Sequence, residues 1–346
     1  VKDPDNTTGF FEDKNGLVAI YTSAKSTGNE DEFIQEQSLA YSLDNGQTWD
    51  KYKDNPVISA PGYFDFRDPK VFWSEDYEKW IMLLASKDRI EFYESKNLKD
   101  WNKLSEFGKY YGSHDGVWEC PELFKFSVKD QTVWVLKVSV QGGAPNGGSG
   151  EMYFVGEFDG TVFKEFSENN YKWLDMGKDI YASQTWSNTE HKIILLGWMS
   201  NFDYGTKIPT GEWRGLMNFP RELDLISKGN EYILRQTPHE NIKNYRHEKN
   251  EIKDIIVKNN RVTKDIHDGA QELIFQLDKE NNGTLEMKIK NDLNEYVELI
   301  FDYGNDRILF KKDKSGIVDF GGDNFGVCQN IDFEFSKTTD VRILID

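Results

Sequence analysis

The stretch Asp65-Phe66-Arg67-Asp68-Pro69-Lys70-Val71-Phe72-Trp73 sets an arginine and a carboxylate at the mouth of an apolar run. Pro69 fixes the backbone between these charges and the strand that follows. An isolated Arg–Asp pair in such a place is most often a loop salt bridge. A second stretch has the same build: in Val117-Trp118-Glu119-Cys120-Pro121-Glu122-Leu123-Phe124 a carboxylate again precedes a proline and a strand. Glu119 stands 51 residues after Asp68, which is the scale of a structural repeat. We therefore expect Asp68 and Glu119 to occupy equivalent places of two repeats and to converge on one pocket. Two such carboxyl groups are what cleavage of a glycosidic bond requires, one a proton donor of raised pKa and the other a nucleophile or base. Glu119 lies between Trp118 and Cys120, an apolar setting that predicts a pKa raised by desolvation, whereas Arg67 beside Asp68 predicts that Asp68 stays ionised. For either residue alone, pairing with a core charge of opposite sign is the competing explanation.

The elements that would carry these groups are short strands. Gly16–Thr22, Lys79–Ala85, Thr132–Val138 and Lys192–Trp198 read as buried strands, and they advance in steps of about 50 to 60 residues. A second series of turn-plus-aromatic stretches, Ser42–Trp49, Ser95–Trp101 and Glu157–Phe163, advances with them. This spacing, almost without amphipathic helix, predicts the four-stranded blades of a β-propeller; a β-sandwich would show closer turns without the repetition. The innermost strands are expected to begin at Asp68, Glu119 and Tyr181, so that Asp68, Glu119 and Asp179-Ile180-Tyr181 face one central funnel. Gly142–Gly150 is expected to be a surface loop near its rim, since neither a helix pattern nor Lys-Ser/Thr follows to make it a phosphate loop. The pattern changes near Thr237. We expect residues 1–237 to form the propeller, 238–250 a linker, and 251–346 a sheet domain with one wet face, where alternation returns in Glu272–Leu277, Leu285–Lys290 and Glu298–Phe301. The last stretch, Val341–Asp346, reads as a strand at which the chain is cut short.

Composition narrows the partner. The 346 residues carry a net charge of −18, which argues against nucleic acid or an anionic membrane surface. Aromatic residues make up 14%, with ten tryptophans, as suits both a β-rich core and a site where sugar faces stack on rings. Cys120 and Cys328 are too few and too far apart for a disulfide framework or a zinc site, and no cofactor or metal is expected. No apolar run is long enough to span a membrane as a helix.

These residues resemble those of glycoside hydrolase family 32, the β-fructofuranosidases that include invertases, exo-inulinases and levanases. Phe66-Arg67-Asp68-Pro69-Lys70 is similar to the family's Arg-Asp-Pro motif and Trp118-Glu119-Cys120-Pro121 to its Glu-Cys motif. Asp179-Ile180-Tyr181-Ala182 matches a further signature, as does Gly197-Trp198-Met199-Ser200-Asn201 followed by Pro209-Thr210, Trp213-Arg214 and Pro220-Arg221-Glu222-Leu223. The resemblance implies an all-β chain: a five-bladed β-propeller, its first blade missing from this sequence, followed by a β-sandwich truncated at its C-terminus. It implies that Glu119 is the acid/base, that Asp68 stabilises the transition state, and that Arg67, Asp179, Tyr181 and Trp198 bind the terminal fructose, with Cys120 tuning the acid. The implied substrates are sucrose or fructose-containing oligo- and polysaccharides, and the implied reaction is retaining. The family's nucleophile is an aspartate in a Trp-Met-Asn-Asp-Pro-Asn-Gly motif, which this sequence does not contain; Asp3-Pro4-Asp5-Asn6 belongs to the stretch that matches the family's second blade. Gly116–Pro121, Asn146–Gly150 and Tyr153–Gly156 look more like microbial exo-acting enzymes than plant vacuolar ones. A fructosyltransferase of the same family and a sugar-binding propeller without catalysis are the rival readings. A secreted protein is expected, with a cytoplasmic one as the alternative.

Overall fold

In the computed structural model, which describes residues 1–12, 16–29, 32–168, 170–252, 255–257, 262–264, 269–279 and 282–345, each of the four buried runs becomes the second strand of an antiparallel meander. The first meander is β1 (Lys2–Asp3), β2 (Gly16–Ser26), β3 (Phe33–Ser42) and β4 (Asp50–Lys51). The second is β5 (Phe66–Ser74), β6 (Lys79–Ser86), β7 (Arg89–Ser95) and β8 (Asn102–Phe107). The third is β9 (Trp118–Val128), β10 (Gln131–Val140), β11 (Gly150–Phe158) and β12 (Phe163–Glu165), with β13 (Lys172–Trp173) also paired to β11. The fourth is β14 (Tyr181–Thr185), β15 (Ile193–Trp198), β16 (Arg221–Lys228) and β17 (Glu231–Pro238).

The turn-plus-aromatic stretches all fall between third and fourth strands, and each is closed by an Asx side chain bonding backbone ahead of it. Asp44 Oδ1 accepts from the Thr48 amide at 2.8 Å, Asn97 Oδ1 from Lys99 at 3.0 Å, and Asp159 Oδ1 from Thr161 at 2.8 Å. Consecutive sheets pack face to face. Ile81, Leu83 and Phe92 of the second sheet meet Leu136, Val138 and Phe154 of the third, while Val133 and Val135 turn the other way onto Leu195, Leu223 and Leu234 of the fourth. β10 is thus buried on both faces, which is why it reads as a continuous apolar run. Full burial of side chains of this size stabilises by roughly 1.5–3 kcal/mol each. Between the first two sheets, Val18 and Leu39 pack on Trp80 and Leu98.

The first strands of the later meanders lie side by side: β5 contacts β2 and β3 on one flank and β9 on the other, and β9 contacts β14. This row carries the candidate site.

All four meanders belong to one compact unit, Val1–Pro238; a second unit comprises His239–Asp346. The second begins with a 3-10 turn, Glu240–Tyr245, capped by His239. It contains a two-stranded sheet of β18 (Gln271–Asp278) and β23 (Thr338–Ile345). A four-stranded antiparallel sheet accompanies it: β19 (Thr284–Lys290), β20 (Tyr296–Asp302), β21 (Arg307–Lys314) and β22 (Gln329–Asp332). Leu277, Phe301, Tyr303 and Phe335 form a core shared by the two sheets. Asp346, the end of the stretch read as a final strand, lies outside the described residues.

Candidate active site

The three adjacent first strands each break register at the same point. Arg67 pairs with Ala85 and Lys70 with Leu83, leaving Asp68 and Pro69 opposite a single residue. Glu119 pairs with Ser139 and Glu122 with Lys137, leaving Cys120 and Pro121. Tyr181 pairs with Trp198 and Gln184 with Leu196, leaving Ala182 and Ser183. These are β-bulges, two residues against one. In each the first bulged residue is left-handed, with φ of 62° at Asp68, 48° at Cys120 and 48° at Ala182. Such a conformation costs a non-glycine residue about 1–2 kcal/mol, and strain of this kind clusters at functional sites.

The bulges correct the pairing expected from sequence. Asp68 is equivalent to Cys120 and Ala182, and the counterpart of Glu119 is Arg67, 52 residues earlier. Because strand side chains alternate faces, a one-residue offset decides which groups meet. The layer formed by Arg67, Glu119 and Tyr181 is in direct contact. Arg67 Nε donates to Glu119 Oε1 at 2.9 Å, with Nη2 at 2.8 Å from the same oxygen, and the Tyr181 hydroxyl donates to Glu119 Oε2 at 2.5 Å. Arg67 Nη1 also meets Asp65 Oδ1 at 2.6 Å. Burial, the Glu119 charge and its own hydrogen bond to Glu119 push the Tyr181 phenol far up, so it remains a donor.

Asp68 is held differently from the expectation. Its carboxylate accepts from the Cys120 amide at 3.0 Å and faces the Cys120 thiol at 3.6 Å, and its own amide donates to Thr22 Oγ1 at 3.1 Å. Burial, reinforced by the nearby Glu119 charge, raises its pKa; the Cys120 amide and Arg67 oppose the shift without overcoming it. Arg67 thus acts on Asp68 in the direction foreseen but is outweighed by burial, its ion pairs going to Glu119 and Asp65. The apolar setting inferred for Glu119 from its chain neighbours is likewise replaced. Trp118 turns into the core between the second and third sheets and bonds the Ser113 carbonyl, so Glu119 meets a guanidinium and a phenol instead. Burial, with the Asp68 charge, pushes the Cys120 thiol up to about 12.

Of Asp179-Ile180-Tyr181, Tyr181 reaches this cluster. Ile180 is core, and Asp179 accepts from the Tyr204 hydroxyl at 2.5 Å. Trp198 stands beside Tyr181 in the β14–β15 register, and the Phe202 ring packs edge-on against both, at 4.8 Å from Tyr181 and 6.0 Å from Trp198. The Gly142–Gly150 loop is only partly superficial: Ser149 and Gly150 are buried, and Asn201 grips the loop by accepting from Ser149 N at 3.2 Å and donating to Ser149 O at 3.1 Å.

Several supporting residues escaped the sequence reading. Gln35 Oε1 accepts from the Phe66 amide at 2.9 Å and Gln37 Nε2 donates to the Phe66 carbonyl at 2.9 Å, so the first sheet fixes the entry to Arg67-Asp68. One layer below the cluster, Lys70 meets Glu122 at 2.5 Å and Gln184 at 3.2 Å, and Glu122 accepts from the Thr185 amide at 3.0 Å. The available signal was two glutamines alternating on β3.

The profile of the glycosyl hydrolases family 32 N-terminal domain matches residues 5–238. A levanase of Bacillus subtilis (strain 168) is 42% identical over 328 residues, which cover 91% of this chain and 48% of the levanase. An extracellular exo-inulinase of Aspergillus niger is 42% identical over 270 residues, covering 69% of this chain and 50% of the relative. The chain thus spans about half the length of the curated relatives it matches. Among solved structures, the exo-inulinase from Aspergillus awamori superposes with a TM-score of 0.84 at 31% identity, covering 100% of this chain and 73% of that one.

Proposed function

Since the chain belongs to glycosyl hydrolase family 32, we propose that it carries the acid/base side of a retaining β-fructosidase site, one that releases terminal fructose from fructans or sucrose. The observation that carries this reading is the contact layer Arg67–Glu119–Tyr181 with Asp68 beside it. Glu119 is the acid/base in this reading, aimed by two donors, one on each side. Asp68 is the carboxylate that binds fructosyl hydroxyls as positive charge develops on the ring. Arg67, Tyr181 and Trp198 line the fructose pocket, Asp179 supports its wall through Tyr204, and Cys120 shapes the Asp68 side. The four meanders are read as four blades of a five-bladed propeller, and the second unit as a β-sandwich after a short linker. The relatives named extracellular support an extracellular site of action.

Retention also requires a nucleophile on the opposite face of the sugar, and the proposal assigns that role to an aspartate outside residues 1–346. The test is free fructose released from sucrose, inulin and levan by the full-length protein. Glu119→Gln is expected to lower turnover by about 10²–10⁴-fold, the usual loss for a general acid, with a smaller loss for substrates bearing a good leaving group. Residues 1–346 alone are expected to release none. Fructose released by residues 1–346 and abolished by Glu119→Gln would place the nucleophile among them and overturn that assignment. Longer oligosaccharides dominating over fructose at high sucrose would make the protein a transferase.

A further inference from the structure

On the face of β10 turned toward the fourth sheet, Val133 and Val135 are core. The next two positions of the same alternation are Lys137 and Ser139, both fully buried. Glu151 of β11, also buried, faces them. Its Oε1 accepts from the Ser183 amide at 2.6 Å, from Ser139 Oγ at 2.8 Å and from Lys137 Nζ at 3.4 Å, and its Oε2 takes the Ser183 hydroxyl. Lys137 Nζ donates in turn to the Ser183 carbonyl at 2.6 Å. One residue of the β14 bulge is thereby held at its amide, its carbonyl and its side chain by an ion pair from the neighbouring sheet.

Stability alone is a weak reason for such a pair, because well-packed apolar residues of similar volume often serve as well or better. What the pair grips is more telling. Ser183 follows Ala182, the left-handed residue, and Ala182 follows Tyr181, whose hydroxyl bonds Glu119. We propose that Glu151 and Lys137 are positioning residues: by holding Ser183 they fix the bulge, and through Tyr181 they fix the Glu119 carboxyl. This rests on the reading of Glu119 as the acid/base.

The experiment uses the full-length protein and three changes. Glu151→Met keeps much of the length of the side chain and removes both oxygens, so the acceptors that hold the Ser183 amide and hydroxyl are lost and Lys137 is left a buried charge without its carboxylate. It is expected to lower Tm, and to lower kcat about 10²-fold, as a small misplacement of a catalytic group does, with KM little changed. Lys137→Met combined with Glu151→Met removes both buried charges, and is expected to recover Tm without recovering kcat. In a Tyr181→Phe background, Glu151→Met is expected to add little to the loss of kcat, since the two act through one bond. Recovery of kcat by Lys137→Met with Glu151→Met, or effects of Tyr181→Phe and Glu151→Met that add fully, would show the pair to be only a fold element. Amide exchange over Tyr181–Thr185 supplies a readout independent of turnover: Glu151→Met should speed it about tenfold or more while the rest of Val1–Pro238 keeps its protection, and unchanged exchange would overturn the proposal. If the unmodified protein releases fructose from none of the three sugars, the acid/base reading falls, and the exchange result still decides whether the pair holds the bulge.

Discussion

Asp68 binds its proton more tightly in the folded chain than in the unfolded one, because burial disfavours its charged form. The stability it contributes is therefore fully present below the unfolded carboxylate value, about 3.9, and is lost as pH rises through the higher folded value. Above the unfolded value, burial of this carboxyl is a cost. Asp68→Asn keeps an oxygen to accept from the Cys120 amide and removes that charge, so it is expected to raise Tm near neutral pH. The gain should shrink as the pH falls into the acid range, while the role proposed for Asp68 requires that fructose release by the full-length protein drop. Thermal melts of both proteins across that range test this; a gain independent of pH would mean that burial of the charge is not its source. The lowering expected from Arg67 is present but outweighed, because its ion pairs go to Glu119 and Asp65 while the Asp68 carboxyl is buried against Cys120.

At the level of elements, the meanders were legible because apolar runs and Asx-closed turns recur at a common spacing. The bulges were not. Asp68-Pro69, Cys120-Pro121 and Ala182-Ser183 share a backbone conformation but no residue type common to all three, so the repeat that aligns them is carried by φ and not by letters. Their support is also non-local: Gln35, Gln37 and Glu151 come from other sheets or distant strands. The residue opposite the third bulge is Gly197, where a Cβ would come within 2.8 Å of the Ser183 Cβ. Gly197→Ala is expected to destabilise the protein by about 1–3 kcal/mol, the range for overpacking a tight site. Ala182→Gly should leave stability unchanged or raise it by up to about 1 kcal/mol, since glycine accepts the left-handed backbone at the cost of a freer unfolded chain. Urea denaturation of both variants decides; destabilisation by Ala182→Gly comparable to that of Gly197→Ala would show that the bulge is unstrained.

Taken as a whole, the chain is two units with separate cores, and residues 246–252 between the first strands of the second unit and its capped 3-10 turn are exposed throughout. Brief trypsin treatment is expected to cut first after Arg246 or Lys249, and mass spectrometry should find a product ending there; early cuts within β5–β16 would contradict so well packed a first unit. Each unit also carries one free cysteine, Cys120 in the first and Cys328 in the second. Cys328 is exposed, whereas Cys120 lies at the left-handed position of the middle bulge with its thiol pushed up to about 12. Only the thiolate reacts with an alkylating reagent. With iodoacetamide at neutral pH, Cys328 should therefore label at once and serve as the internal reference, and Cys120 should wait until the bulge opens. The lag between the two adducts then clocks the opening of the site itself, in a protein that needs neither substrate nor mutation to report it.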